Sequence, residues 1–113
     1  GKMACLEPED PLKAPWQQHL RGARQNGAES AWVPDTAVLA CMSCQARFGV
    51  LRRRHHCRRC GAVVCDDCSG NRMAAHLIYG HAPPASKDAE ERVRICDACA
   101  RVVDYHIKKK LQA

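Results

Sequence analysis

The fold of this chain is decided by the stretch RRRHHCRRCG, residues 52–61. It places five arginines and two histidines around Cys57 and Cys60, and no acidic residue follows before Asp66. Arginine presents a planar fork of donors that fits phosphate oxygens in a bidentate manner. Histidine donates to hydroxyls or phosphates and gains charge as the pH falls. The stretch therefore joins a cysteine pair to a dense cluster of phosphate donors. A solvated face, or a generic patch for nucleic acid, is the rival interpretation of these arginines.

The cysteine pair in this stretch has three counterparts of the same spacing. Two residues separate the members of each further pair, namely Cys41/Cys44, Cys65/Cys68 and Cys96/Cys99. This spacing lets two thiolates point at one ion from a tight turn, and two pairs complete a tetrahedral site, so eight cysteines predict two zinc ions. The short path from Cys60 to Cys65 disfavours a site shared by those two pairs. Spacing leaves both a sequential and an interleaved arrangement open, and with all eight positions filled by thiolates the adjacent histidines are not needed as ligands.

A secreted disulfide framework is the rival interpretation of the cysteines. The chain has nine of them, an odd number, and its N-terminus shows no signal-peptide core. Disulfide scaffolds also tend to have irregular cysteine spacings. We therefore expect zinc thiolates in a reducing compartment, with Cys5 as a free thiol.

Composition points to a small basic domain that needs a metal. The chain has 113 residues but only two Trp, two Tyr and one Phe, which is too little bulk for a large aromatic core. The net charge of +6 and the pI of about 9.0 favour an anionic partner: nucleic acid, phosphoinositide or anionic lipid. No apolar run reaches the ~20 residues that a spanning helix needs.

The positions of Pro and Gly and the cysteine pairs predict three parts of the chain, the second of which contains a long loop. Residues 1–31 are expected to form a partly flexible leader with a short helix over residues 16–24, and residues 32–105 to form the zinc module. Residues 69–95 are read as a surface loop with one strand near 93–95, and its His76 and His81 as solvated. After Cys99, Val103, Ile107 and Leu111 recur every four residues, which predicts an amphipathic helix over 100–111. Residues 106–113 form its end and a basic tail.

The sequence predicts strands in two further segments. The run Ala62-Val63-Val64 is rich in β-branched residues. If residues 53–57 also form a strand, alternation brings three basic side chains to one side: Arg54, His56 and Arg58.

The chain resembles a FYVE zinc finger, a module that binds phosphatidylinositol 3-phosphate on endosomal membranes. Its Trp-x-x-Asp signature is similar to Trp32-Val33-Pro34-Asp35, and its Arg-Arg-His-His-Cys-Arg motif to residues 53–58, followed by Cys60-Gly61. Its Arg-Val-Cys is similar to Arg94-Ile95-Cys96. The resemblance covers residues 32–105. The stretch between Cys68 and Cys96 is longer than most members carry.

The resemblance implies a small zinc-stabilised α+β fold, with two short antiparallel β-hairpins and a C-terminal α-helix around two interleaved zinc sites. Cys41, Cys44, Cys65 and Cys68 would hold one ion, and Cys57, Cys60, Cys96 and Cys99 the other.

The resemblance also implies residue roles. Arg54, Arg58 and Arg94 would hold the 3-phosphate, and Arg53 would lie toward the phosphate that links inositol to glycerol. His56 would meet the 4-hydroxyl and Asp35 the 5- and 6-hydroxyls, while His55 and Trp32 would shape the pocket. Val50 and Leu51 stand where the family inserts a loop tip into the bilayer; their rival interpretation is ordinary core.

The expected function is therefore a cytosolic membrane-targeting module, peripheral on endosomes. Alternatives are a FYVE-like protein-interaction module, for example for small GTPases, and a non-specific anion patch. RING ubiquitin ligases lack the basic motif, and scarce aromatics weaken nucleic-acid binding. Zinc sites filled by thiolates leave no position for water, so no enzyme is expected. A protein partner or homodimer stays open.

Overall fold

The computed structural model describes residues 7–20, 32–80, 82–86, 88 and 90–112. The expectations for Cys5, for His81 and for most of the leader lie outside these residues. Among the described helices, none is long and apolar enough to cross a membrane.

Two small antiparallel sheets frame the zinc module. Strands β1 (His55–His56) and β2 (Val63–Val64) pair with His55 opposite Val64. Strand β1 is shorter than the expected 53–57, because the backbone turns back at the cysteine knuckle directly after it. The Cys57 N–H donates to the Ala62 carbonyl at 3.0 Å, and the Gly61 N–H to the Cys57 carbonyl at 2.9 Å.

The second sheet corrects the prediction that residues 69–95 form a loop with one strand, because this segment contains two strands and a short helix. Strand β3 (Asn71–Ala74) pairs with β4 (Arg92–Ile95), and helix α1 (Ala75–Tyr79) follows β3 directly. Helix α1 ends at Gly80, whose φ of 77° is a left-handed conformation that suits glycine. The sequence of β3 by itself gives little indication of a strand, because the backbone hydrogen bonds of β3 are made to β4, which lies about 20 residues later in the chain.

His76, on α1, is not solvated as expected. The residue is half-buried, and its Nδ1 is buried with no hydrogen-bond partner among the described residues.

Helix α2 (Asp97–Gln112) begins three residues earlier than the expected 100–111. The Ala100 N–H donates to the Cys96 carbonyl at 2.9 Å, so Cys96 directly precedes the helix and Cys99 lies in its first turn. The helix buries Cys99 and Val102, whereas Ile107 is 38% and Leu111 81% exposed. The buried face of α2 is therefore formed by Cys99 and Val102 near its N-terminus. The predicted stripe does not determine this face, since Ile107 and Leu111 are exposed.

The core consists of cysteines and small aliphatic side chains. Val63, Val64, Ile95 and Val102 are each at most 1% exposed, and metal-binding cysteines pack in one cluster with Val64 and Ile95. This composition agrees with the scarcity of aromatics and with a fold that needs its metal.

Residues 7–20 pack onto the zinc module instead of forming a loose leader. They contain two 3-10 helices, Pro11–Lys13 and Pro15–Leu20, the second in place of the short helix expected near Trp16. Leu12 and Trp16 pack against the core, and the buried Gln17 donates its side-chain amide to the Cys60 carbonyl. The described part of the leader therefore belongs to the folded domain.

Candidate metal centres and anion-binding cavity

The eight paired cysteines form two groups of four in an interleaved arrangement. Cys41, Cys44, Cys65 and Cys68 form the first group, and Cys57, Cys60, Cys96 and Cys99 the second. Within each group all sulfurs lie within 4.8 Å of one another. The arrangement agrees with what the resemblance implies and decides between the two that spacing left open.

The sulfur positions fit tetrahedral zinc. Zn–S bonds of about 2.3 Å give a tetrahedron with edges of about 3.8 Å. The Cys44 and Cys65 sulfurs are 3.8 Å apart in the first group, as are the Cys60 and Cys96 sulfurs in the second. Each group could therefore hold one ion in a closed site with four thiolates, which is a structural site without an open position for water.

Backbone donors surround one sulfur in each group. The N–H groups of Ser43, Cys44 and Cys65 point at the Cys41 sulfur at 3.3–3.4 Å. Burial opposes ionisation of Cys41, but these donors bring its pKa down to about 7. The Arg59 and Cys60 N–H groups point at the sulfur of Cys57 in the same manner, both at 3.4 Å. Donors that hold a thiolate in place also support its binding to metal.

The two groups differ in their exposure to solvent. All four cysteines of the second group are buried, whereas Cys44 of the first group is exposed and Cys68 is half-buried. The first group is therefore the more accessible to competing ligands.

A cavity of about 610 Å³ lies beside the second sheet and gathers many of the basic side chains. Four residues expected at a headgroup site line it: Trp32, His55, Arg58 and Arg94. Five further residues line it that sequence reasoning missed: Arg72, Tyr79, Glu91, Arg92 and Val93. The sequence could have indicated Arg92, because it alternates with Arg94 on the strand predicted near 93–95. Arg72 of β3 and Tyr79 of α1 could not be predicted, because they reach the cavity only through the pairing of β3 with β4.

Trp32 is the centre of a stack at the wall of this cavity. Its ring lies 4.7 Å from the His56 ring at an interplanar angle of 21°, and the Arg58 Cζ lies 4.4 Å from its centroid. Arg58 also donates Nη1 to the His56 carbonyl at 2.8 Å, and the His56 ring contacts the Val33 carbonyl through Nε2 at 2.9 Å. The stack fixes the Arg58 guanidinium at the cavity wall.

Arg94 is anchored from the other side. Its Nη1 lies 2.7 Å from an Asp66 carboxylate oxygen and 3.0 Å from the Ser69 hydroxyl. The Arg94 guanidinium lowers the pKa of Asp66 below its usual value, so this exposed carboxylate is charged at neutral pH. The Asp66 carboxylate is therefore an anion that any anionic ligand of Arg94 would have to displace.

His55 is half-buried on β1 between these arginines. Burial and then the nearby charge of Arg94 lower its pKa below the ordinary value. His55 is therefore a neutral wall of the cavity near pH 7, able to donate or accept a hydrogen bond.

Four other residues expected at the site do not line the cavity. Arg54 donates Nε and Nη2 to the Val38 carbonyl at 3.1 and 3.0 Å, with its Cζ 5.0 Å from the Phe48 ring centroid. The His56 ring is occupied by its stack, and Arg53 and Asp35 are exposed. Of Arg54, His56 and Arg58, which alternation in a strand over 53–57 would bring to one side, only Arg58 lines the cavity, and the strand comprises only His55–His56.

The loop before the basic motif presents an apolar tip. Val50 is 87% and Leu51 100% exposed, so neither is part of the core. The Gly49 N–H donates to the Arg52 carbonyl at 2.8 Å, which closes a tight turn beneath them. Arg52, Arg53 and Arg54 follow Leu51 directly, so three cations adjoin the exposed apolar pair on its C-terminal side.

Comparison with known proteins identifies the same module in many other chains. The FYVE zinc-finger profile matches residues 31–105. Protein FREE1 of Arabidopsis thaliana is 40% identical over 82 residues, which are 73% of this chain and 12% of that protein. Pleckstrin homology domain-containing family F member 2 of Homo sapiens is 41% identical over 75 residues, 66% of this chain and 26% of that protein. The chain thus spans only a small part of these relatives.

One solved structure resembles the fold as well. The solution structure of the LM5-1 FYVE domain from Leishmania major has a TM-score of 0.51 and 38% sequence identity. The match covers 65% of this chain and 76% of that one.

Proposed function

Because the chain belongs to the FYVE zinc-finger family, known for binding phosphatidylinositol 3-phosphate and for membrane targeting, we propose that it binds this lipid through the cavity beside the second sheet. The observation that carries the proposal is the convergence of Arg58, Arg94, His55 and Trp32 on one cavity. These side chains come from three separate parts of the chain, so a local charge run does not account for their meeting.

Arg58 and Arg94 are the proposed anchors of the 3-phosphate. A phosphate monoester carries nearly two negative charges at neutral pH and accepts several charge-assisted hydrogen bonds. Arg58 is held by the Trp32 ring and the His56 carbonyl, so little side-chain entropy is lost when it donates to a ligand. Arg94 must exchange the Asp66 carboxylate for the phosphate, which carries the greater charge.

The remaining family positions are proposed to act at the mouth of the site. Arg54 is exposed, so its guanidinium can leave the Val38 carbonyl at the cost of a rotamer change and contact the headgroup. Arg53 would face the phosphate that joins inositol to glycerol. His56 and Asp35 would contact ring hydroxyls, with His56 close to the place where a 4-phosphate would have to fit.

Membrane attachment is proposed to combine three terms. Basic residues near an anionic leaflet contribute about 1 kcal/mol each. The headgroup adds its specific contacts, and Val50 and Leu51 enter the interface from the tip of their loop. The proposed location is peripheral, on endosomal membranes, and the proposed role is that of a binding module without catalysis.

Liposome co-sedimentation tests this function. Vesicles carry the 3-, 4- or 5-phosphate of phosphatidylinositol at equal charge and physiological salt. We expect selective sedimentation with the 3-phosphate, and loss of that selectivity in Arg58→Ala and Arg94→Gln. Arg101→Gln, on the exposed surface of α2, removes the same charge and should behave as the unaltered chain.

Equal sedimentation with all three isomers would overturn the proposal and leave a non-specific anion patch. No sedimentation at all would favour a protein-interaction module. Circular dichroism of each variant, with zinc in excess, separates a lost contact from a lost fold.

A further inference from the structure

The pairing of β3 with β4 brings a fifth basic side chain to the candidate cavity. Arg72 lies directly opposite Arg94 in the antiparallel register. Directly opposed residues point to the same face of a sheet, with Cβ atoms about 4.5–5.5 Å apart. Met73 and Ile95, which alternate with these arginines, pack in or against the core, whereas Arg72 and Arg94 both line the cavity.

The four arginines that line the cavity differ in how their donors are occupied. Arg58 is engaged by Trp32 and the His56 carbonyl, and Arg94 by Asp66 and Ser69. The Arg92 guanidinium lies 3.6 Å from the Glu90 carboxylate and donates to the Arg72 carbonyl at 3.2 Å.

Arg72 differs from the other three. Within the described ranges, its guanidinium has neither an acceptor at hydrogen-bond distance nor an ion-pair partner. It therefore offers five unoccupied N–H donors at a cavity wall. Its backbone is held in the β3–β4 ladder, and its carbonyl accepts the bond from Arg92. A cation with a fixed backbone and free donors is placed to bind an anion at little cost in reorganisation.

From this geometry we propose that Arg72 is a further headgroup-binding residue, which shares with Arg94 the phosphate monoester that enters the cavity. The inference rests on the proposed function and adds a residue from outside the family signatures quoted above. A phosphate oxygen can accept from Arg72 without displacing any partner, whereas Arg94 must first release Asp66. Arg72 is exposed, so its contribution is that of a solvated charge pair.

The test measures binding of a soluble, short-chain phosphatidylinositol 3-phosphate by calorimetry. Arg72→Gln should weaken binding about fivefold, the effect of an exposed charge contact. Arg72→Lys keeps the charge and should recover part of the loss, and Arg101→Gln is the matched control for net charge. Thermal unfolding with excess zinc confirms that each variant is folded. If Arg72→Gln binds as tightly as Arg101→Gln, the assignment is wrong.

Two further binding measurements distinguish a phosphoinositide headgroup from bulk lipid charge and from free phosphate. Vesicles of phosphatidylcholine and phosphatidylserine without phosphoinositide report bulk charge, and inorganic phosphate reports the phosphate alone. Arg72→Gln should leave serine-lipid binding equal to that of Arg101→Gln; a larger loss there would make Arg72 a surface charge only. If the unaltered chain fails to select the 3-phosphate, the proposed function fails and this assignment with it. If the unaltered chain selects the 3-phosphate and Arg72→Gln binds it as tightly as Arg101→Gln does, the proposed function stands and only the role of Arg72 is wrong.

Discussion

The guanidinium of Arg59 donates to both carboxylate oxygens of Asp10, at 2.8 and 3.0 Å, and so ties residues 7–20 to the second cysteine group. Both side chains are largely buried, with 13% and 14% of their surface exposed. Arg59 also points Nη1 at the Cys99 sulfur at 3.4 Å. Arg59, a member of the basic motif, thus has a structural role, and it does not line the candidate cavity.

Asp10→Ala should destabilise the domain. Removing the carboxylate leaves the Arg59 guanidinium largely buried without its anion, which costs about 2 kcal/mol for a charged hydrogen bond. Chemical denaturation in excess zinc measures the loss, and Glu9→Ala, an exposed neighbouring acid, is the control. Calorimetry with the soluble 3-phosphate lipid should show unchanged affinity in the folded variant. A variant as stable as the control would mean that the Asp10–Arg59 pair does not contribute to the stability of the fold.

The chain should bind two zinc ions and release them unequally. Because Cys44 is exposed and the second group is fully buried, a chelator should remove the first ion faster. Colorimetric zinc release should then be biphasic, and removal of both ions should unfold the domain, since structural zinc contributes on the order of 10 kcal/mol to folds of this kind.

Cysteine variants assign the two phases. Cys44→Ser should remove the fast phase and Cys57→Ser the slow one, while Cys5→Ser should keep two ions per chain. A stoichiometry other than two would contradict the two metal sites, and a single phase would show that the exposure of Cys44 does not make the first ion more labile.

Val50→Ser and Leu51→Ser should weaken vesicle binding without changing affinity for the soluble headgroup. Each side chain is almost fully exposed, and its burial in the interface is worth about 1 to 2 kcal/mol. Leu111→Ser alters an exposed apolar residue on α2 and serves as the control. Equal vesicle binding by all three variants would show that the loop tip stays in water.

Asp66→Asn should strengthen binding of the 3-phosphate lipid several-fold. Asp66 partly neutralises Arg94 in the free protein, and Ser69 still holds the guanidinium after the substitution. Asp67→Asn removes the same charge one residue later, from an acid that lies 3.7 Å from Arg52 instead. Calorimetry with the soluble headgroup compares the two variants. If their affinities are equal, Asp66 does not compete with the ligand.

The sequence predicted the residues of the candidate cavity only in part. Family resemblance indicated Trp32, His55, Arg58 and Arg94, and the structure brings these four to one cavity. Strand alternation also grouped Arg54 with Arg58, but Arg54 donates to the Val38 carbonyl and does not line the cavity, and β1 ends at His56, directly before the Cys57 knuckle.

The sequence by itself determined the metal-binding character of this protein, because a pair of cysteines two residues apart is a local rule that needs no knowledge of the fold. It also determined the family, through signatures that are contiguous in the chain. Only the tertiary structure decided that Arg72 faces the cavity opposite Arg94 and that Asp10 neutralises Arg59. Both relationships join residues far apart in sequence, and they exist only once strand pairing and the docking of residues 7–20 have formed.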